Sequence, residues 1–540
     1  MNRKTWTRRD WLKTTTLGMG VLSTGQLPRI AAAAKANALD VGSALELAVD
    51  PRWIDRMSGL SLVQHAPVPR EIVLTTAESV TDPPATLLGY MSVMKDGDLY
   101  RMYYRYVRPS PDQDGHEFFC YAESRDAIHW TKPNLGLFKL PGSNDGNAIT
   151  EENMAFPGDQ DSEHFPCISH NLRPFIDERP GVPKSERFKA LAAGYNSGSP
   201  KAGYWALVSS DGIHWKKIQK DWVIDRKNWP HGSDSTPACA FWSDTEKKYV
   251  AYIRIRVNKD DPTKGQVGAL RWIGRITSED FIHWSNVTPM APLKLEVDVS
   301  EVAARQVHHY TNETQQYFRN PNLLIATPTR YFEGTAFSKE ELAKLSKEMQ
   351  HHHTLKGMGY TDATLLTTRP GELAYRQPFA EAFLRPGIDV RNWSNRSTYP
   401  YVRFVPTGDH EMSFFAQHGI GSYRYAQRYS LRFDGFASVR APLSGGEVLT
   451  KPIQFDGDRM LINYSTSGAG SIRVEMQDAS GAAIPGYTLD DAIRQVGDST
   501  EHTVRWKGGP DVGSLRGKTI RMRLVMHDAD LFSFRFGGEA

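Results

Sequence analysis

One seven-residue phrase occurs three times and narrows the folds open to the chain. Ser124-Arg125-Asp126-Ala127-Ile128-His129-Trp130, Ser209-Ser210-Asp211-Gly212-Ile213-His214-Trp215 and Ser278-Glu279-Asp280-Phe281-Ile282-His283-Trp284 share Ser, Asp, Ile, His and Trp at fixed places. Recurrence roughly every 70 to 85 residues marks a repeated supersecondary unit. Each copy follows a run rich in aromatic and β-branched residues and precedes another strand-like stretch. Ser and Asp side chains bond turn backbones, so the phrase reads as a tight hairpin whose Trp packs back between neighbouring units. Hairpins repeated on a β background predict the blades of a propeller.

The strand-like runs fall into a consistent order. Leu87–Met94 and Leu99–Tyr104 flank Lys95-Asp96-Gly97-Asp98, a hairpin signal, and Phe118–Glu123 with a strand from Trp130 completes a first unit. Similar runs before the second and third phrases, then at 322–371 and 402–433, bring the count to five blades. Residues 38–80 read as a segment wrapping the main domain. Ser338-Lys339-Glu340-Glu341 is a capping box that starts a helix inserted in the fourth unit and ending at His351-His352-His353. From about Gly445 come six short alternating strands joined by Gly-, Asp- and Pro-containing turns, the pattern of a two-sheet sandwich. The expected fold is all-β: a five-bladed β-propeller over 35–440, followed by a C-terminal β-sandwich over 441–540.

Residues 1–34 resemble a twin-arginine export signal. Arg8-Arg9 precedes Trp11-Leu12, a weakly apolar stretch rich in Thr and Gly, and Ala31–Ala34. That stretch is too short and polar to span a bilayer. The expected location is periplasmic or secreted, with no membrane attachment in the mature form. Cys120, Cys167 and Cys239 are too few and too uneven for a disulfide framework and are expected as buried thiols. A net charge of +3 says little about partners, and no Lys/Arg-rich run or basic helix argues for nucleic acid. No cofactor is expected: His351–His353 lacks metal-site spacing, and a structural Ca²⁺ on the axis is compatible but not demanded.

A propeller joined to a sandwich, with Ser-x-Asp-Gly-x-x-Trp turns, resembles the glycoside hydrolases of the invertase, levanase and arabinanase type. His170–Phe175, Tyr317–Pro321, Asn392–Pro400 and Leu431–Phe436 are similar to an exported bacterial branch described as family-32-like. The Asn-Asp-Pro-Asn-Gly, Arg-Asp-Pro and Glu-Cys motifs of the invertases are absent, so fructan specificity does not transfer. Sialidases offer a second resemblance through their Asp-containing boxes and Phe318-Arg319-Asn320-Pro321. That reading requires three convergent arginines and a Tyr/Glu pair.

The resemblance implies a carbohydrate substrate and cleavage of its glycosidic bonds by paired carboxyl groups in the propeller funnel. The carboxylates near blade starts are Asp234, Asp362 and Glu411, with Asp82 and Glu381 in reserve. Asp96, Asp98, Asp126, Asp211 and Asp280 are assigned to turns. Sugars also need aromatic faces and planar hydrogen-bonding groups. His170, Asn171, Tyr310, Asn312, Arg319, Trp393, Arg396 and Tyr399 supply them at the same junctions. Arginine holds a carboxylate or sulfate bidentately, which admits an anionic sugar. A non-catalytic carbohydrate-binding propeller is the alternative.

Overall fold

A computed structural model describes residues 38–75, 86–108, 116–137, 148–151, 172–195, 202–225, 238–258, 270–291, 308–334, 336–345, 359–420 and 423–538. The described chain is nearly all-β.

Five groups of antiparallel strands follow one another along the chain. The first holds Thr86–Asp96, Leu99–Arg108, His116–Ser124 and Ala148–Glu151. The fourth strand of this group does not start at Trp130, as the sequence led us to expect. Only a single bridge, Glu123 to Thr131, follows the turn, and Pro133, which has no N–H to donate, stands two residues on. The second group is Leu172–Ile176, Phe188–Tyr195, Ala202–Ser209 and two short pieces, Lys216–Lys217 and Ile224–Asp225. The third is Cys239–Ser243, Lys248–Val257, Leu270–Ser278 and Thr288–Pro289.

The fourth group is split. Asn320–Ala326 pairs with Leu366–Thr368, and Thr329–Phe332 pairs with Tyr360–Ala363. The break falls at Thr327-Pro328 on one strand and Thr364-Leu365 on the other, where proline removes a ladder donor. The inserted helix starts where expected. Ser338 Oγ accepts from the Glu341 N–H and the Glu341 carboxylate accepts from the Ser338 N–H, capping Lys339–Ala343. His351–His353 lies outside the described residues. The fifth group sets Glu411–His418 against Tyr425–Arg432, and its outer strand is the N-terminal Val68–Thr75.

The groups close into a ring. The first strands of groups one, two and three touch in succession, the third also touches Gln315–Tyr317, which pairs with Asn320–Ala326 of group four, and the first group touches the fifth. A parallel bridge, Ser92 to Val402, joins groups one and five. Five apolar clusters lie between successive groups. Tyr103 with Trp205 fills the first gap, Phe175 with Tyr249 the second and Cys239 with Leu324 the third. Leu323 with Phe414 fills the fourth and Met102 with Phe415 the fifth.

The three repeated turns are the staples of this ring. In each, the Asp Oδ1 accepts two backbone N–H groups and its Oδ2 meets His Nδ1 at 2.6–2.7 Å. The residue after each Asp is left-handed: Ala127 at φ 62°, Gly212 at 79° and Phe281 at 70°. Only one of the three is glycine, so the Ser and Asp bonds hold a conformation that L-residues rarely adopt. Each turn packs on the preceding group. Trp130 meets Phe415 of group five, Gly212 abuts Tyr103 of group one, and Phe281 meets Phe175 of group two.

Ten further strands form one sheet. The short strands expected at 460–476 and 520–536 are two long ones, Arg459–Asp478 and Ile520–Gly537, with a register shift between Thr466 and Ser471. Residues 39–64 do not wrap the ring. Leu39–Gly42, Glu46–Leu47, Ile54–Ser58 and Ser61–Gln64 all pair within this large sheet. Two buried hubs tie it to group four. Asp434 accepts from Tyr317, Arg319, Asn463 and Ser533 at 2.6–3.0 Å. Arg369 bridges Asp50 and Glu46 at 2.8 and 3.0 Å.

Candidate functional site

Antiparallel order puts the second-to-third strand connections of every group at one end of the ring. Near that end arginines and tyrosines from four groups meet. Tyr90 and Arg105 come from the first group, and Arg254 and Arg271 from the second and third strands of the third. Tyr310 and Tyr331 belong to the fourth, and Arg396, Tyr399 and Arg424 flank the fifth. Tyr90, Tyr310 and Tyr399 form one buried cluster with Tyr331 against it.

Tyr310 is its centre. Its backbone is fixed by N–H donation to Thr329 O at 2.8 Å and by Arg254 Nη1 donating to its carbonyl at 2.9 Å. The guanidinium carbons of Arg254 and Arg271 lie 4.6 and 4.9 Å from its ring centroid. Arg396 Nη2 donates to its phenol oxygen at 3.4 Å. Burial alone would raise the phenol's pKa, but Arg396, Arg254 and Arg271 outweigh it and hold the group down to about 8. The neighbouring Tyr90 goes the other way, to about 12, chiefly through burial and the proximity of Tyr310. Arg424 is pushed down to about 9 by burial, with Arg396 adding repulsion. The site is therefore a cationic cluster around one readily ionised phenol.

Arg396 adopts φ 63°, and its carbonyl accepts from Gln417 Nε2 at 2.8 Å. These contacts hold a strained residue in place, with its side chain turned to the phenol.

The other expected residues are distributed as follows. Asp362 is held by Arg330 through two bonds of 2.7 Å. Glu411 is paired with Arg428 at 2.9 Å and Arg70 at 3.2 Å; burial works against its ionisation, but the Arg428 hydrogen bond and charge keep its pKa low. Neither carboxyl converges on Tyr310 among the described contacts. Glu381 is exposed and lines a separate cavity. Asn312 is structural, donating to Tyr252 O and accepting from Thr314 N. Arg319 is consumed by the Asp434 hub. Trp393 donates to Gly387 O and faces Tyr360. Asp82, Asp234, His170 and Asn171 lie outside the described residues.

Sequence reading missed Tyr90, Arg105, Arg254, Arg271, Tyr331 and Arg424. The arginines sit within or beside strands, where alternation hides which face they take. A count of arginines near the ends of second strands could have found Arg105 and Arg254. It also missed Glu313, buried and bonded to Arg173 at 3.0 Å, with Arg173 reaching Cys239 Sγ at 2.8 Å. Burial pushes the Glu313 carboxyl up and the Cys239 thiol to about 11. Cys239 is a free thiol, and both Cys120 and Cys239 are buried. Among the described residues no three His, Cys, Asp or Glu side chains group to hold a metal ion, and no helix is long and apolar enough to cross a membrane.

No family model and no curated protein matches the chain. Several solved structures resemble it at low identity. An N-acetylgalactosamine deacetylase from F. plautii aligns at TM-score 0.40 and 13% identity, covering 69% of this chain and 96% of that one. A GH93 α-L-arabinofuranosidase of Fusarium graminearum aligns at 0.37 and 11%, covering 69% and 99%. A member of the GH130 family of mannoside phosphorylases and glycoside hydrolases aligns at 0.37 and 9%, covering 72% and 94%. At those scores the geometry of the site carries the functional argument.

Proposed function

We propose that the chain is an exported glycan hydrolase. In this reading its five strand groups are the blades of a propeller, the large sheet is an accessory sandwich, and the reactive centre is Tyr310. The substrate is a sugar bearing a carboxylate or sulfate. The observation that carries the proposal is the convergence of Arg254, Arg271 and Arg396 on a phenol whose pKa they lower to about 8.

The three arginines around one tyrosine favour the sialidase-like alternative over the paired-carboxylate one, while no glutamate pairs with Tyr310 among the described contacts. Some glycosidases use tyrosine as nucleophile. The Tyr310 phenolate would attack the anomeric carbon while an acid protonates the leaving oxygen. Water would then displace the phenol, with the same acid acting as base. Asp234, in the polar sequence His231–Ser235, is assigned the proton-donor role, with Asp82 in reserve. Arg396 Nη2 meets the phenol oxygen at 3.4 Å, so the other guanidinium donors can take a substrate anion while the phenolate keeps its cationic neighbours. The twin-arginine-like N-terminus supports action outside the cytoplasm, and no cofactor is needed for this chemistry.

The test is a reducing-sugar release screen over uronic-acid, sialylated and sulfated glycans, with Tyr310→Phe and Asp234→Asn as controls. Release by the wild type that both variants lose supports the reading. Release that survives Tyr310→Phe refutes it.

A further inference from the structure

A small cavity lies where four strand groups meet. Arg173 reaches it from the first strand of group two, Cys239 from that of group three, Thr314 and Gln315 from the start of group four, and Arg403 from group five. The rest of its lining is apolar. Its volume is about 10 Å³, the room that one water or one monatomic ion needs. A sugar or a polyatomic anion does not fit.

Arg403 is the unusual member. Its backbone stands at φ 92°, where an L-residue is strained. Bonds on either side hold it there: Val402 N–H donates to Met91 O at 3.2 Å, and Phe404 N–H to Gln315 Oε1 at 2.8 Å. Strain that the surroundings over-determine in this way gathers at functional positions. Among the described residues no carboxylate pairs with the Arg403 guanidinium and no hydrogen bond reaches it. Its Nε is enclosed, but the side chain is only part-buried and its Nη groups keep accessible surface.

The other charges at the cavity are already matched. Glu313 holds Arg173 at 3.0 and 3.2 Å, and Arg173 also donates to Cys239 Sγ at 2.8 Å. Glu178 is exposed and makes no ion pair with Arg403. Burial pushes the Arg403 guanidinium down to about 10, and Arg173 adds repulsion. The side-chain acceptors are spent as well. Gln315 Oε1 takes the Phe404 N–H, Thr314 Oγ1 shares a hydrogen with Tyr375 Oη at 2.7 Å, and Cys239 Sγ accepts from Arg173. A water here meets donors but lacks side-chain acceptors for its own hydrogens. A monatomic anion needs only donors, and it offsets the unpaired charge.

We infer that this cavity binds one chloride-sized anion, held by Arg403 with Arg173 beside it, and that the anion ties groups two to five together. The inference is independent of the hydrolase reading.

The experiment is thermal unfolding of the full chain at fixed ionic strength, with sodium gluconate replaced stepwise by sodium chloride. Gluconate is too large for the cavity. The wild type should gain roughly 1 °C or more along a saturating curve, because an ion that binds only the folded state stabilises it. Arg403→Gly removes the charge at a backbone angle that glycine adopts freely, and Arg403→Gln keeps most of the bulk. Both variants should lose the chloride-dependent gain. Crystals of the wild type grown in bromide should show one anomalous peak beside Arg403. A wild-type melting temperature that ignores chloride overturns the inference. A gain of equal size in either variant does so too, as does a cavity that takes up no bromide.

Discussion

Arg396 donates to the phenol oxygen of Tyr310 from a backbone held at positive φ, and this pair joins the fourth and fifth strand groups at the cationic end of the ring. The pair makes the phenol unusual. Without the arginines, burial would drive its pKa up, as it does for Tyr399 and Tyr401.

The titration of Tyr310 has a defined sign. Its folded pKa, about 8, lies below the unfolded value of about 10. Ionisation at this site therefore adds stability that is fully present above the unfolded pKa and is lost as pH falls through about 8. Near-ultraviolet phenolate absorbance should show one tyrosine titrating near pH 8, and Tyr310→Phe should remove that step.

Removing a cation should move that step upward. Arg396→Ala and Arg271→Ala each withdraw one of the charges that offset burial. Both variants should shift the phenolate transition toward or beyond the ordinary range for tyrosine. An unchanged transition would mean that the arginines do not set it.

The ring itself was legible, and the arginine–tyrosine cluster was legible only in part. Three copies of Ser-x-Asp-x-x-His-Trp fixed the unit and its spacing, because that turn is local and its hydrogen bonds are made by its own side chains. The turns also point to the inter-group gaps, through Trp130 on Phe415 and Phe281 on Phe175. Pairing across long separations was invisible. Nothing local in Val68–Thr75 says that it closes group five, or that residues 39–64 join the far end of the chain. Tyr310, Arg396 and Tyr399 were picked out as sugar-binding groups, and they do meet. Arg254 and Arg271 were missed because strand residues show no sign in sequence of the neighbour they face.

The second repeated turn offers a stability test. Gly212 has φ 79°, and a Cβ there would collide with the Tyr103 phenol and crowd Phe188. Gly212→Ala should cost roughly 2–4 kcal/mol, combining left-handed strain with overpacking. Thermal unfolding measures it. A loss under about 0.5 kcal/mol would mean that the turn does not pack on the neighbouring group as described.

The hub at Asp434 should be costlier. Its carboxylate is fully buried and holds Arg319, Tyr317, Asn463 and Ser533. Asp434→Ala leaves Arg319 without its partner, and a loss of about 3–5 kcal/mol is expected in chemical denaturation.

Glu411 and Asp362 are each engaged by an arginine. Glu411→Gln and Asp362→Asn should retain most of any glycosidase activity while lowering the melting temperature, since both carboxylates are engaged by arginines. The Glu411 contribution is present above its unfolded pKa and is lost as pH falls through its lowered folded value.

The most direct test of the account is reducing-sugar release from anionic glycans by the wild type and Tyr310→Phe, measured across pH 6 to about 9 around the phenol's expected titration. The account predicts wild-type release that rises as pH passes through about 8, and a loss of at least ~10³-fold in Tyr310→Phe, the scale of removing a nucleophile. Full activity in Tyr310→Phe with an unchanged pH profile would contradict it.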